Sequence, residues 1–68
     1  MKLVGDPQGI EELKFFKENE EKIEYLKLIL NEAKTNTDFK TRFKDREGKN
    51  HYILAYDPTT GDFSVQKE

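Results

Sequence analysis

Phe39-Lys40-Thr41-Arg42-Phe43-Lys44, followed by Asp45-Arg46-Glu47-Gly48-Lys49-Asn50 and then His51-Tyr52-Ile53-Leu54-Ala55-Tyr56, is the stretch on which the fold turns. Phe39, Thr41 and Phe43 alternate with Lys40, Arg42 and Lys44, the period of two that belongs to a half-buried strand. Glu47-Gly48 reads as a two-residue turn, and His51 to Tyr56 has the aromatic and β-branched character of a second strand. Beyond it, Asp57-Pro58-Thr59-Thr60-Gly61 is a stronger turn: proline presets the first turn position, Asp57 can accept from turn amides, and Gly61 can take the left-handed conformation. Asp62 to Gln66 then returns as a third strand.

Each turn fixes which side chains share a face. A loop over residues 58–61 sets Tyr56 opposite Phe63 and Leu54 opposite Val65. A turn at Glu47-Gly48 sets Phe43 opposite Tyr52, Thr41 opposite Leu54 and Phe39 opposite Tyr56. Both assignments put Phe39, Thr41, Phe43, Tyr52, Leu54, Tyr56, Phe63 and Val65 on one face, which needs a helical cover.

That cover lies upstream. Asp6-Pro7-Gln8-Gly9 reads as a helix start, with Asp6 as cap and Pro7 at the first helical position, and Glu11 and Glu12 suit the positive end of the dipole. From Ile10 to Lys34 there is no further Gly or Pro, and Leu, Lys and Glu dominate. One helix is expected over about 7–34, with its core stripe on Phe15, Phe16, Asn19, Ile23, Leu26, Leu30 and Ala33. Asn19 interrupts the stripe and offers an alternative, a break at which it caps a second helix opening with Glu20 and Glu21. Lys34 to Asp38 is a polar connection. The expected fold is therefore α+β: a long N-terminal helix packed on one face of a three-stranded antiparallel meander over about 38–67, with Met1, Leu3 and Val4 available for a short extra strand.

The helix carries more apolar surface than such a sheet can cover. Tyr25, Leu28 and Ile29 lie to one side of the stripe, and Ile10 and Leu13 lie on the far side of the first turns. An uncovered apolar surface of this kind marks an interface more often than a pocket. Tyr25, Leu28, Ile29, Ile10 and Leu13 are thus the expected protein interface, with a homodimer through the helical half as its simplest use. The alternative cover is the N-terminal segment folded back.

Composition narrows the function classes. Sixty-eight residues with 38% charged and 34% hydrophobic side chains are expected to make one small domain. A core of this size rarely contributes more than roughly 3–5 kcal/mol without a staple, and there is no cysteine to form one. A formal charge of −2 gives no overall attraction to nucleic acid or to an anionic membrane. No apolar run has membrane-spanning length, and the cysteine-free composition makes a cytoplasmic location the default.

Local constellations are few. Lys40, Arg42 and Lys44 share the outer face of the first strand, with Lys49 and His51 near, and could neutralise phosphates. The register, however, sends the aromatics that would stack on bases to the opposite face. Charged residues in this pattern also guard an edge strand against aggregation, and an acidic protein partner is the third reading. His51, the only histidine, has no nucleophile or carboxylate that sequence places beside it, and one His without Cys makes a poor zinc site. The helical carboxylates interleave with lysines and read as a solvated face. Asp57 and Asp62 lack the ligand spacing of a calcium loop, and the four glycines form no phosphate cradle. No catalytic residue, metal ligand or cofactor is expected. The expected function is that of a non-enzymatic protein-interaction or regulatory module, acting as a homodimer and binding another protein. The alternative is a nucleic-acid-binding protein that uses Lys40, Arg42, Lys44 and Lys49.

Overall fold

A computed structural model describes residues 2–68. The order of elements is β1 (Leu3–Gly5), α1 (Pro7–Glu18), α2 (Ile23–Thr35), β2 (Lys40–Lys44), β3 (His51–Asp57) and β4 (Asp62–Lys67). The strands form one mixed sheet in the order β1-β4-β3-β2. β2, β3 and β4 make the expected antiparallel meander, and β1 adds to it parallel to β4. The class is α+β, with two helices on one face of four strands rather than one helix on three.

The long helix breaks at Asn19 for a local and a global reason. Locally, the Asn19 backbone is extended, its side-chain Oδ1 accepts the Glu21 N–H at 2.9 Å, and its carbonyl accepts from both Lys22 and Ile23. An asparagine that offers the backbone these alternatives competes with helix continuation. Globally, one helix over about 7–34 would run about 42 Å, longer than the greatest extent of the described molecule, 31 Å. The break lets two shorter helices lie on the same sheet. The second starts at Ile23 rather than Glu20, its cap position being Lys22 with no side-chain cap bond.

Entry to α1 follows the sequence. Asp6 caps it by accepting the Gly9 N–H at 2.9 Å, and Pro7 opens it. Two glycines then allow a close approach to β4. Gly5 has φ +117, and a Cβ there would lie 2.0 Å from the Val65 carbonyl oxygen; a Cβ on Gly9 would lie 2.3 Å from Val65 Cγ1 and 3.1 Å from Tyr52 Cδ1. The Asp6 N–H closes the corner on the Val65 carbonyl at 2.8 Å.

The core comprises Leu13, Phe16, Ile29 and Ala33 from the helices and Phe43, Tyr52, Leu54, Phe63 and Val65 from the sheet, all buried. The helical side differs from the expected stripe. Phe16 and Ala33 belong to it, but Leu13 and Ile29 are buried beside them, while Phe15, Leu26 and Leu30 pack partly buried at the margin. A break changes the phase between the two halves, so a wheel drawn through Asn19 merges two differently directed inner faces into one stripe that fits neither half.

The sheet register is the one expected: Phe43 faces Tyr52, Thr41 faces Leu54, Tyr56 faces Phe63 and Leu54 faces Val65. Phe43 and Tyr52 stack across the strands at 5.3 Å between ring centroids. The first reversal is wider than a two-residue turn. The Asp45 N–H bonds the Asn50 carbonyl at 3.0 Å, and the Asp45 carboxylate gathers the N–H groups of Glu47, Lys49 and Asn50. A loop over residues 46–49 keeps the same pairs opposite as a turn at Glu47-Gly48, so the face is preserved. Phe39 stands outside the strand with φ 56, yet its carbonyl accepts the Tyr56 N–H at 2.8 Å and its ring lies against Tyr56.

Candidate functional site

With both helices on one side, no layer covers the other side of the sheet among the described residues. Alternation places Lys40, Arg42 and Lys44 of β2 on this open face, with His51, Ile53 and Ala55 of β3, Ser64 and Gln66 of β4, and Val4 of β1. Val4 is 53% exposed, His51, Ile53, Ala55 and Ser64 are half-buried, and the three basic residues of β2 are exposed. The surface is a shallow apolar strip bordered on one side by a row of cations spaced two residues apart.

Among the described residues, Arg42 is the one cation of the row with an acidic partner on this face. Its Nε donates to Glu68 Oε2 at 2.7 Å, and Nη2 donates to the other carboxylate oxygen. Glu68 is opposite His51, whose carbonyl accepts its N–H. The Arg42 side chain therefore crosses β3 to reach it. A guanidinium lying over the face and holding a carboxylate in two-point fashion shows what ligand chemistry this position accommodates.

β2 is also an edge. The Phe39–Tyr56 and Asp45–Asn50 bonds set the alternation of the ladder: odd-numbered residues of β2 bond β3, and Lys40, Arg42 and Lys44 turn their backbone groups outward. At Lys40 both are satisfied within the chain, the N–H by Asp38 Oδ1 at 3.1 Å and the carbonyl by Asn36 Nδ2 at 2.7 Å. At Lys44 the N–H has only a long contact of 3.4 Å to the Tyr25 hydroxyl. Among the described residues, no partner meets the Arg42 N–H, the Arg42 carbonyl or the Lys44 carbonyl. Two open hollows run along this edge and share Arg42. One is lined by Glu32, Asn36, Thr41 and Ile53 among others, the second by Tyr25, Phe43, Lys44 and His51.

Lys49, the fourth residue of the expected basic set, lies apart from the row in the β2–β3 loop, 3.6 Å from Glu47. The aromatic rings Phe43, Tyr52 and Phe63 face the helices and are buried, so they offer the basic row no stacking platform. His51 pairs with Lys44 across the strands and lines the same hollow as Arg42 and Lys44. Among the described residues, no three of His, Cys, Asp or Glu gather where they could hold a metal ion, and no helix is long and apolar enough to cross a membrane.

The expected helical interface is divided. Leu13 and Ile29 are only 3% and 2% exposed, inside the core. Ile10 and Tyr25 are half-buried, Tyr25 edge-on to Phe16 at 5.4 Å. Leu28 alone is well exposed, at 53%. The apolar width read on one helix is shared between two helices that both face the sheet, and no continuous patch of these five residues forms.

Glu12 is the other departure from expectation. Rather than a solvated carboxylate it is buried, accepting the Arg46 backbone N–H at 2.9 Å, Nε at 3.1 and 3.0 Å, and Nη2 at 2.5 Å. Hydrogen bonds from the Arg46 guanidinium hold the Glu12 carboxyl below its usual range, against the opposing effect of burial. Arg46 lies 3.9 Å over the Phe15 ring. Spacing alone could not show this pair, because it joins residues 34 positions apart. It fastens the β2–β3 loop to α1 and leaves no charge over for a ligand.

Compared with protein-family models, curated proteins and solved structures, the chain matches none. The functional reading rests on its own residues.

Proposed function

We propose that this protein is a non-enzymatic binding module that takes an acidic segment of another protein on the open face of its sheet. The observation that carries the reading is the asymmetry of the two faces: one is closed by helices and apolar, the other pairs a half-buried strip of Ile53 and Ala55 with the exposed row Lys40, Arg42 and Lys44. Apolar centre with charged border is the arrangement of a polar-rimmed interface. The carboxylate of Glu68 on Arg42 supports an acidic ligand. A homodimer through the helical half would have to be built on Leu28 and Tyr25, since Leu13 and Ile29 are occupied.

The test uses polyglutamate as a stand-in for an acidic protein segment and single-stranded oligothymidylate as the nucleic-acid counterpart, titrated at low salt against the labelled protein by NMR. Polyglutamate is expected to shift amides of β2 and β3, and a Lys40→Gln/Arg42→Gln/Lys44→Gln variant is expected to abolish the response. Tighter binding of the oligonucleotide than of polyglutamate, or an unchanged response in the triple variant, would reject the reading.

A further inference from the structure

Building on that reading, we infer that the acidic partner docks as an added β-strand on the free edge of β2, with Arg42 and Lys44 as its hydrogen-bonding positions. An extended segment running antiparallel to β2 can exchange both backbone bonds with Arg42 and bond again at Lys44, where it displaces the long Tyr25 contact. Asp38 and Asn36 already occupy the backbone of Lys40, so the addition stops there. The docking edge is short and has a defined end.

The charge pattern then selects the occupant. Residues that pair directly across a sheet point their side chains to the same face, so those opposite Arg42 and Lys44 lie on the open face, where Lys40 adds a third cation at the end of the row. The matching sequence alternates acidic residues with small apolar or β-branched ones. The latter would point to the helix side, into the hollows lined by Tyr25 and Phe43 and by Glu32 and Thr41. A second copy of this chain does not fit. In a β2–β2 pairing, only the outward-facing residues Arg42 and Lys44 have backbone groups open for the hydrogen-bonded pairs, so every register sets cation against cation.

Glu68 is an internal competitor in this scheme. Its carboxylate holds the Arg42 guanidinium in the free protein, and an incoming acidic side chain must take its place. Removing the Glu68 charge therefore raises affinity, an effect that general loss of structure would not produce.

The probe is a seven-residue capped peptide of alternating Glu and Val, with a Lys-for-Glu version as control, followed by NMR titration and amide exchange. Saturable shifts at Arg42, Phe43, Lys44 and Ile53 are expected, together with new exchange protection of the Arg42 N–H and no binding of the lysine peptide. Glu68→Gln is expected to tighten binding several-fold. Arg42→Pro, which removes an N–H that β3 does not use, is expected to bind at least about fivefold more weakly than Arg42→Gln, the loss of one backbone bond beyond the loss of charge. Polyglutamate binding with no Arg42 amide protection, and equal affinities for the proline and glutamine variants, would overturn strand addition while leaving the acidic-ligand reading in place. Failure of both polyglutamate and the peptide would overturn the two together, and equal binding of the lysine peptide would overturn the charge selection.

Discussion

Gly9→Ala tests the packing of α1 on the sheet, because two effects of opposite sign meet at this residue. In an exposed helix the substitution is favourable by up to about 1 kcal/mol. Here the new Cβ would stand 2.3 Å from Val65 Cγ1, more than 1 Å inside the usual carbon–carbon optimum of about 3.5–4.0 Å. Val65 is fully buried and its branched side chain is stiff about χ1. Backing α1 away would strain the Gly5 corner, whose own Cβ position is 2.0 Å from the Val65 carbonyl oxygen. Overpacking in a closed core costs typically about 1–3 kcal/mol, and the rigidity of Val65 places this case near the upper end. The net expectation is a loss of about 2 kcal/mol, a fall in Tm of roughly 8–16 °C for a domain of this size. Urea titration followed by circular dichroism measures it. Adding Val65→Ala removes the obstructing methyl, so the double variant is expected to be more stable than the sum of the single effects by about 1 kcal/mol or more. A Gly9→Ala protein that gains stability would refute the close approach of α1 to Val65.

Four other outcomes follow from particular contacts. Glu12 has a folded pKa below the unfolded value of 4.5, so its contribution is complete above about pH 4.5 and is lost as pH falls through the lower folded value. Glu12→Gln is expected to cost about 1–2 kcal/mol at neutral pH and to flatten the acid side of the stability profile, checked by urea titrations across that range. Asn19→Ala removes the acceptor for the Glu21 N–H and is expected to cost about 0.5–1 kcal/mol, the net worth of one hydrogen bond, in the same assay. Leu28→Gln is expected to stay within about 0.5 kcal/mol of the parent, whereas Ile29→Ala loses about 2–5 kcal/mol; if sedimentation shows a dimer that Leu28→Gln dissociates, the helical surface has the role first read for it. Lys40→Gln/Arg42→Gln/Lys44→Gln is expected to self-associate more at high concentration than the parent, with sedimentation as the measure.

The sheet was legible before the helices, for a physical reason. Two turns, each marked by its own residues, fix register independently, and agreement between them leaves one face for Phe43, Tyr52, Leu54, Phe63 and Val65. A helix has no such internal check. Its wheel assumes continuous phase, and the one residue that breaks it, Asn19, does so through a side-chain bond of modest energy together with a length mismatch visible only beside the finished sheet. Leu13 and Ile29 were misplaced on that account. The row Lys40, Arg42 and Lys44 could be read as one face of one strand. That β2 lies at the edge with Arg42 open depends on β1 joining β4, and the Glu68 and Glu12 partnerships join parts of the chain far apart in sequence.

The basic row serves two roles that stem from one electrostatic fact. Directly opposed like charges on paired strands cost each pair about 0.2–1 kcal/mol, and opposite charges gain a similar amount. The two docking positions, Arg42 and Lys44, then set an acidic strand and a second copy of β2 apart by roughly 1–4 kcal/mol, with solvent exposure favouring the lower end. Edge protection and partner choice are therefore the same free-energy difference viewed from its two ends. Salt separates them from a purely steric guard. At physiological ionic strength the screening length is about 8 Å, so raising salt weakens attraction to an acidic strand and repulsion between copies together, whereas a guard by shape would respond to neither. Arg42 is the position where this difference is largest, since it alone combines a charge on the open face with both backbone groups free. Glu68 moderates it, its carboxylate accepting from the Arg42 guanidinium until a stronger acceptor takes its place.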